Sequence, residues 1–222
     1  MADAPTDART EVLARVRAAL AGSAEPAPLR RAYRQAGDVV HADLLGLLTE
    51  RLIDYRATVL RCTPPDLPAR LAGQLLVRGI TDVAVPGGFP AAWLELLPAH
   101  RQHREPLTVP ELNALDGTVS TCTVAVAETG TLVLDAGPGQ GRRALSLVPD
   151  YLLVVVRAEQ VVAAVPDAVH SLDPRTPMTW ISGPSATSDI ELQRVEGVHG
   201  PRTLDVIILD GDDPWPVPPS SC

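Results

Sequence analysis

Hydrophobic positions fall into two kinds of run along this chain. YLLVVV at residues 151–156 and DVIILD at 205–210 are apolar without a period of two, the mark of strands covered on both faces. Elsewhere the spacing is helical. Val12, Val16 and Leu20 recur every four residues behind Thr6, which can cap an amphipathic helix. Residues 22–29, GSAEPAPL, read as a proline and alanine linker with no core pattern. Val40, Leu44, Leu47, Leu48 and Leu52 resume the helical spacing over residues 38–55. Next come a strand at 58–62, a helix capped by Asp66 and carrying Leu71, Leu75 and Leu76, a strand at 82–85, and a helix after Pro90. The second half predicts strands at 121–127 and 131–134 around a turn, a helix from about Gly141, a strand at 151–156 and a helix over 159–170. A strand at 178–182, another helix and a last strand at 204–209 close the pattern.

This order predicts an α/β domain over residues 31–211: a three-layer α/β/α sandwich with a largely parallel central sheet plus one hairpin. An N-terminal helical extension and linker precede it at 1–30, and a proline-rich tail follows at 212–222. At 222 residues the chain can bury a sizeable core, roughly 70% of its unfolded surface. The formal charge of -8 and the lack of a basic stripe argue against nucleic acid as a partner. All 19 basic residues are arginine, which excludes a lysine Schiff base and a Walker lysine. No apolar run reaches the ~18 residues of a membrane span, and acids interrupt the N-terminal helical pattern. A soluble, cytoplasmic protein is the expectation. Cys62, Cys122 and Cys222 are too few and too scattered for a four-thiolate cluster, and the first two sit in apolar runs as small hydrophobes. No histidine pair has a metal spacing, so no metal is expected. His100 and His103 read as a solvated polar segment.

Four places can carry chemistry, and each has a plainer reading. Residues 180–210, WISGPSATSDIELQRVEGVHGPRTLDVIILD, set a small-residue turn, hydroxyls, carboxylates and a histidine between two strand-like runs. In open α/β sheets the ligand crevice lies beyond the carboxyl ends of the strands. Gly183, Ser185 and Thr187 at a helix N-terminus would cradle a carboxylate or phosphate; Ser188-x-x-Glu191 equally matches a capping box. Glu128-Thr129-Gly130 suits a hairpin turn, but a glutamate amid Ala and Val can have a raised pKa and act as base or nucleophile. His199, between Gly197 and Gly200-Pro201, can accept a proton or can simply be solvated. The loop at 137–143, GPGQGRR, is a poor dinucleotide fingerprint, yet Arg142 or Arg143 can hold a carboxylate at two points.

Three ordered motifs, AETGTLVL at 127–134, RRALSLVPDY at 142–151 and GPSATSDIELQRVEGVHGPRTLDVIILD at 183–210, resemble the lactate utilization protein C family, which has the LUD domain. The resemblance implies a fold in the ribose-phosphate isomerase, glucosamine-phosphate deaminase and CoA-transferase group. It also implies a non-redox role beside iron-sulfur partner proteins that oxidise L-lactate to pyruvate, with the clusters on the partners and no cofactor on this chain. Glu128, Asp189 and His199 would then be the catalytic candidates. Thr129, Gly130, Arg142, Gly183, Ser185, Thr187, Glu191 and Gly200 would bind a small carboxylate or phosphorylated metabolite. Ala186 stands where relatives often carry a basic residue, and Leu152 where many carry a histidine, which favours a small carboxylate. The rival readings are an acyl-CoA transferase-like enzyme forming a thioester on Glu128, and a regulatory module that binds a metabolite without turnover.

Overall fold

The computed structural model describes residues 7–22, 27–36, 43–187, 195–196 and 199–211. The chain divides after Tyr33 into two units. The first holds α1 (Ala8–Leu20), capped by Asp7, whose carboxylate accepts from the Arg9 N–H; Thr6 lies outside the described residues. None of the residues of α1 is buried. The second unit runs through α2 (Leu44–Asp54), β1 (Thr58–Cys62), α3 (Leu67–Val77), β2 (Val83–Val85), β3 (Gln102–Arg104), α4 (Val109–Asn113), β4 (Gly117–Thr121), β5 (Val124–Val126) and β6 (Thr131–Leu134). It continues with α5 (Arg143–Leu147), β7 (Tyr151–Arg157), β8 (Val161–Val162), α6 (Val165–Ser171), β9 (Thr179–Ile181), β10 (Ala186–Thr187), β11 (Val195–Glu196) and β12 (Thr203–Leu209).

Six strands form a parallel sheet in the order β1-β12-β7-β4-β2-β3. Its centre is the pair the apolar runs predict: β7 is buried throughout, and β12 is buried after Thr203. Alternate side chains serve opposite faces. Leu153, Val155, Ile207 and Leu209 pack with Leu67, Leu71 and Leu75, the stripe that α3 repeats every four residues. Leu152, Val154, Val206 and Ile208 pack with Leu48 and Leu52 of α2 and with Ala125, Leu132 and Leu134. Leu76, expected in the α3 stripe, is 80% exposed. Asp66 occupies the N-cap position of α3 without a side-chain capping bond and accepts instead from the Thr63 hydroxyl at 2.6 Å.

The expected three-layer arrangement about a largely parallel sheet is present, with one outer layer built partly of strands. β5 and β6 form the expected antiparallel hairpin, which belongs to a second sheet of order β8-β5-β6-β9. α6 covers its outer side through Ala168 and Leu172. The single strand expected at 121–127 is therefore two. The Thr121 N–H donates to Gly139 and the Thr123 N–H to Val133, so the chain changes sheets at Cys122. The helix expected over 159–170 starts only at Val165. Val161 and Val162 are β-branched and pair with β5, and Pro166 is confined to the first helical turn. After Pro90 there are two 3-10 turns, Ala91–Leu94 and Ala99–Arg101, in place of the expected helix. His103 is not merely solvated: its Nε2 lies 2.8 Å from Asp82 Oδ1. The part of the expected α2 helix at 38–42 lies outside the described residues. Among the described residues no helix is long and apolar enough to cross a membrane.

One polar residue breaks the apolar run of β12. Asp205 has no exposed surface, and its carboxylate accepts from Arg78 Nη2 at 2.7 Å and Nε at 2.9 Å, from Gln74 at 2.6 Å and from the Tyr151 hydroxyl at 2.9 Å. Arg78 also donates to Thr58 at 2.6 Å. Hydrogen bonding to Asp205 raises the Arg78 pKa, and burial pushes the Tyr151 phenol well above its usual value. Arg78→Met strands a buried charge and is expected to lower the unfolding free energy by about 3 kcal/mol, whereas Tyr151→Phe removes one of several donors and should cost about 1 kcal/mol. Urea unfolding of the two variants checks both size and order.

Candidate functional site

The Gly183-Pro184-Ser185 turn leaves the end of β9 and is fixed from three sides. Gly183 has φ +83, and a Cβ there would lie 2.6 Å from Tyr55 Cβ, so only glycine fits. The Ser185 N–H donates to the Pro201 carbonyl at 2.8 Å, and the Ser185 hydroxyl accepts from the His199 N–H at 3.0 Å. These bonds lace the Gly-Pro-Ser and His-Gly-Pro segments together. Directly after the turn Ala186 and Thr187 pair antiparallel with Glu196 and Val195 as β10 and β11, and residues 188–194, on which the expected helix and its capping box fall, lie outside the described residues. A helix N-terminal cradle is thus absent at residues 183–187.

A cleft of about 480 Å³ opens beside the turn, with Arg143, Ser146, Trp180, Ser182, Ser185 and His199 as its polar and aromatic lining. Leu147, Leu152 and Met178 supply an apolar wall. Leu152 and Leu204 reach it from the second positions of β7 and β12, so it lies at the amino edge of these strands, not beyond their carboxyl ends. The reason is topological: β9 belongs to the second sheet, and the chain enters β12 from the His199-Gly200-Pro201 loop.

The structure gathers some expected residues here and separates others. Gly183, Ser185, His199 and Gly200 line the cleft. Arg142 does not: it pairs with Glu105 at 3.3 Å and donates to the Leu107 carbonyl, while its neighbour Arg143 turns to the cleft. Among the described residues the Arg143 guanidinium makes no hydrogen bond or ion pair. Asp189 and Glu191, with Ser188, lie outside the described residues, as does the Thr187 side chain.

Glu128 is also outside the cleft lining. It sits on the β5–β6 turn, one-third exposed, and accepts from Arg34 Nη2 at 2.6 Å. The expected raised pKa is overturned, because the Arg34 hydrogen bond outweighs desolvation and holds the carboxyl below its usual value. Gly130, at φ +59, lets the turn pass Arg51, whose Cβ would be 2.8 Å from an added Cβ. Thr129 contacts the cleft indirectly: its hydroxyl meets that of buried Thr131 at 2.7 Å, and Thr131 meets Ser182 at 2.8 Å.

Arg143 offers a planar fork for a carboxylate, three serine hydroxyls and the His199 imidazole surround it, and Trp180, 41% exposed, gives an apolar flank. Trp180, Ser146 and Ser182 were not anticipated. A tryptophan at an exposed position of a short strand was the available signal, since a large aromatic left open usually has a partner to cover it.

A parallel six-stranded sheet backed by a mixed second sheet, with these two segments laced at its amino edge, is here the frame of a LUD-domain protein: the LUD domain model matches residues 100–209. The chain belongs to the lactate utilization protein C family. The protein of that name from Deinococcus radiodurans is 40% identical over 215 residues, 91% of this chain and 96% of that protein. The one from Shouchella clausii is 31% identical over 110 residues, 46% of this chain and 48% of its own length. A crystal structure of a DUF162 family protein from Deinococcus radiodurans superposes with TM-score 0.64 at 37% identity, covering 75% of this chain and 96% of that one.

Because the Glu128 pKa is lowered on folding, the Arg34 pair stabilises the protein above the usual glutamate pKa, and this contribution fades as pH falls through the lowered value. In a carboxyl NMR titration Glu128 is expected to ionise below ordinary glutamates, and Arg34→Ala should move its midpoint up. An unchanged midpoint in R34A would show that the pair does not govern this carboxyl.

Proposed function

We propose that this chain is a lactate utilization protein that binds a small hydroxy- or ketocarboxylate in the cleft beside Gly183 and acts, without a redox centre of its own, with iron-sulfur partners that oxidise L-lactate to pyruvate. The observation that carries the reading is the convergence of Arg143, Ser182, Ser185 and His199 on one cleft with an apolar flank. A three-carbon acid needs such a set: a cation fork for its carboxylate, hydroxyl donors for the neighbouring oxygen, and a small apolar surface for its methyl group. The lactate utilization names of the relatives support the pathway.

Oxidising lactate to pyruvate removes two electrons and two protons, so an acceptor must stand against the substrate. The cysteines support placing it on a partner. Cys62 and Cys122 are buried in core clusters on opposite faces of the sheet, and burial pushes their thiols up to about 11 and about 12. Thiols so placed and so protonated do not form a ligand set. His199, on an exposed loop, is positioned to exchange the hydroxyl proton with solvent. The group-transfer alternative loses ground because the Glu128 carboxylate is engaged by Arg34, which lowers its nucleophilicity.

Lactate-dependent dye reduction is the test. The purified chain alone and the iron-sulfur partners alone should be inactive and the mixture active, with Arg143→Met in the mixture slowing turnover about tenfold or more, the weight of one charge-assisted contact. Full activity of the partners without this chain would refute the proposal.

A further inference from the structure

The cleft lined by Arg143 is larger than lactate requires. Six non-hydrogen atoms, at about the 30 Å³ that liquid water gives each molecule, take roughly 180 Å³, whereas the cleft measures about 480 Å³, within the range of pockets that hold drug-sized guests. Much of the remaining lining is apolar. Leu147 of α5 and Met178 and Ile181 of the β9 segment are half-buried, and Trp180 is 41% exposed, so all four offer surface to a guest. We propose that the cleft selects α-hydroxy acids larger than lactate, with a bulky apolar side chain that lies against Leu147, Met178 and Trp180. The inference rests on this same cleft holding a hydroxycarboxylate through Arg143.

The position of the cation fixes how such a guest lies. A second cleft, of about 250 Å³, lies across the Gly183-Pro184-Ser185 turn at the amino ends of β1 and β12, with Arg56, Arg78, Arg202 and Ser185 in its lining. There Asp205 holds Arg78 at two points, and Asp150 pairs with Arg202. Arg143 differs in presenting a fork that no carboxylate among the described residues engages. Arg143 and Leu147 stand one turn apart on α5, about 6 Å along its axis. The methyl group of lactate lies two bonds from the carboxyl carbon, a separation of roughly 2.5 Å. It stops short of a residue one turn further on, whereas the far edge of the ring in phenyllactate lies on the order of 6 Å from that carbon.

The chemistry of the lining decides what kind of side chain fits. Trp180 stands on β9, the outer strand of the second sheet, and an indole left open beside aliphatic groups gains by stacking on a ring or covering a branched alkyl chain. A polyhydroxy chain gains nothing there. The Ser146 hydroxyl is given to the Arg143 carbonyl at 3.1 Å, which leaves Ser182 and Ser185 for the oxygens of the acid itself. Further hydroxyls on the guest would lie unpaired against Leu147 and Trp180, at the cost of their hydration.

Lactate, phenyllactate, hydroxyisocaproate and the polyhydroxy acid gluconate are titrated into the full chain by calorimetry. Phenyllactate and hydroxyisocaproate are expected to bind about tenfold or more tighter than lactate, since burying their side chains is worth at least that factor, and gluconate no tighter than lactate. Arg143→Met should weaken lactate and phenyllactate alike, about tenfold. Trp180→Ala should weaken phenyllactate about tenfold and lactate by less than about twofold, whereas Trp180→Tyr, which keeps a ring on the strand, should retain the preference. Lactate binding that depends on Arg143 with no gain for the larger acids, or a preference for phenyllactate that survives in W180A, would overturn this inference and leave lactate binding in the cleft standing. Absence of Arg143-dependent binding by any of the acids would overturn both.

Discussion

Asp205 places a carboxylate without exposed surface near the start of β12, between Leu204 and a run of valine, isoleucine and leucine. An unpaired charge in such a place is prohibitive, because a site of low dielectric cannot replace the water it has lost. The protein meets the demand with four hydrogen bonds from three side chains. Gln74 and Arg78 bring the end of α3 to the sheet, Tyr151 begins β7, and Arg78 extends the network to Thr58 in β1. The amino edge of the sheet is thereby fixed by directional contacts where the rest of the core is held by non-directional ones. Both clefts open on this edge. A displacement of β1 against β12 that apolar packing would tolerate would break a charge-assisted bond here.

The second constraint is the change of sheet at Cys122. By leaving the parallel sheet there, the chain builds β5 and β6 over one face and brings β9 beside the hairpin, with Trp180 opposite Val133 in the register. The Gly183 turn then comes where β9 ends, above the amino ends of β7 and β12. In a doubly wound sheet, loops at the carboxyl ends of strands gather the ligand site. Here the covering sheet delivers its own turn to the opposite end, and Tyr55, Pro201 and His199 hold it in place.

Much of this was legible in the sequence, and the gaps have physical causes. YLLVVV and DVIILD announced two central strands because only a strand covered on both faces is apolar without alternation. The same runs do not say whether helix or sheet covers them, so the second sheet went unread and residues 159–170 looked helical. Pro166 and the paired valines before it carried that information, since proline belongs in a first turn and β-branched residues favour a strand. By their chemistry the Gly-Pro-Ser and His-Gly-Pro segments read as two separate places, which the family resemblance paired, and hydrogen bonds join them. Glu128 and Arg142 lie outside the cleft for a different reason. Spacing shows which side chains can carry chemistry, whereas Arg34 and Glu105, which engage these two, are distant in sequence. Asp205 was hidden inside its motif as the polar start of an apolar run.

Ser185 lines both clefts, and a hydroxyl has one proton to give. Its oxygen already accepts from the His199 N–H, so its remaining freedom is the direction in which it donates. The backbone around it is held at two points: Gly183 is wedged against Tyr55, and the Ser185 N–H donates to the Pro201 carbonyl. The wall between the two clefts is thus fixed along its backbone, and the Ser185 hydroxyl is a group on it that can turn toward either side.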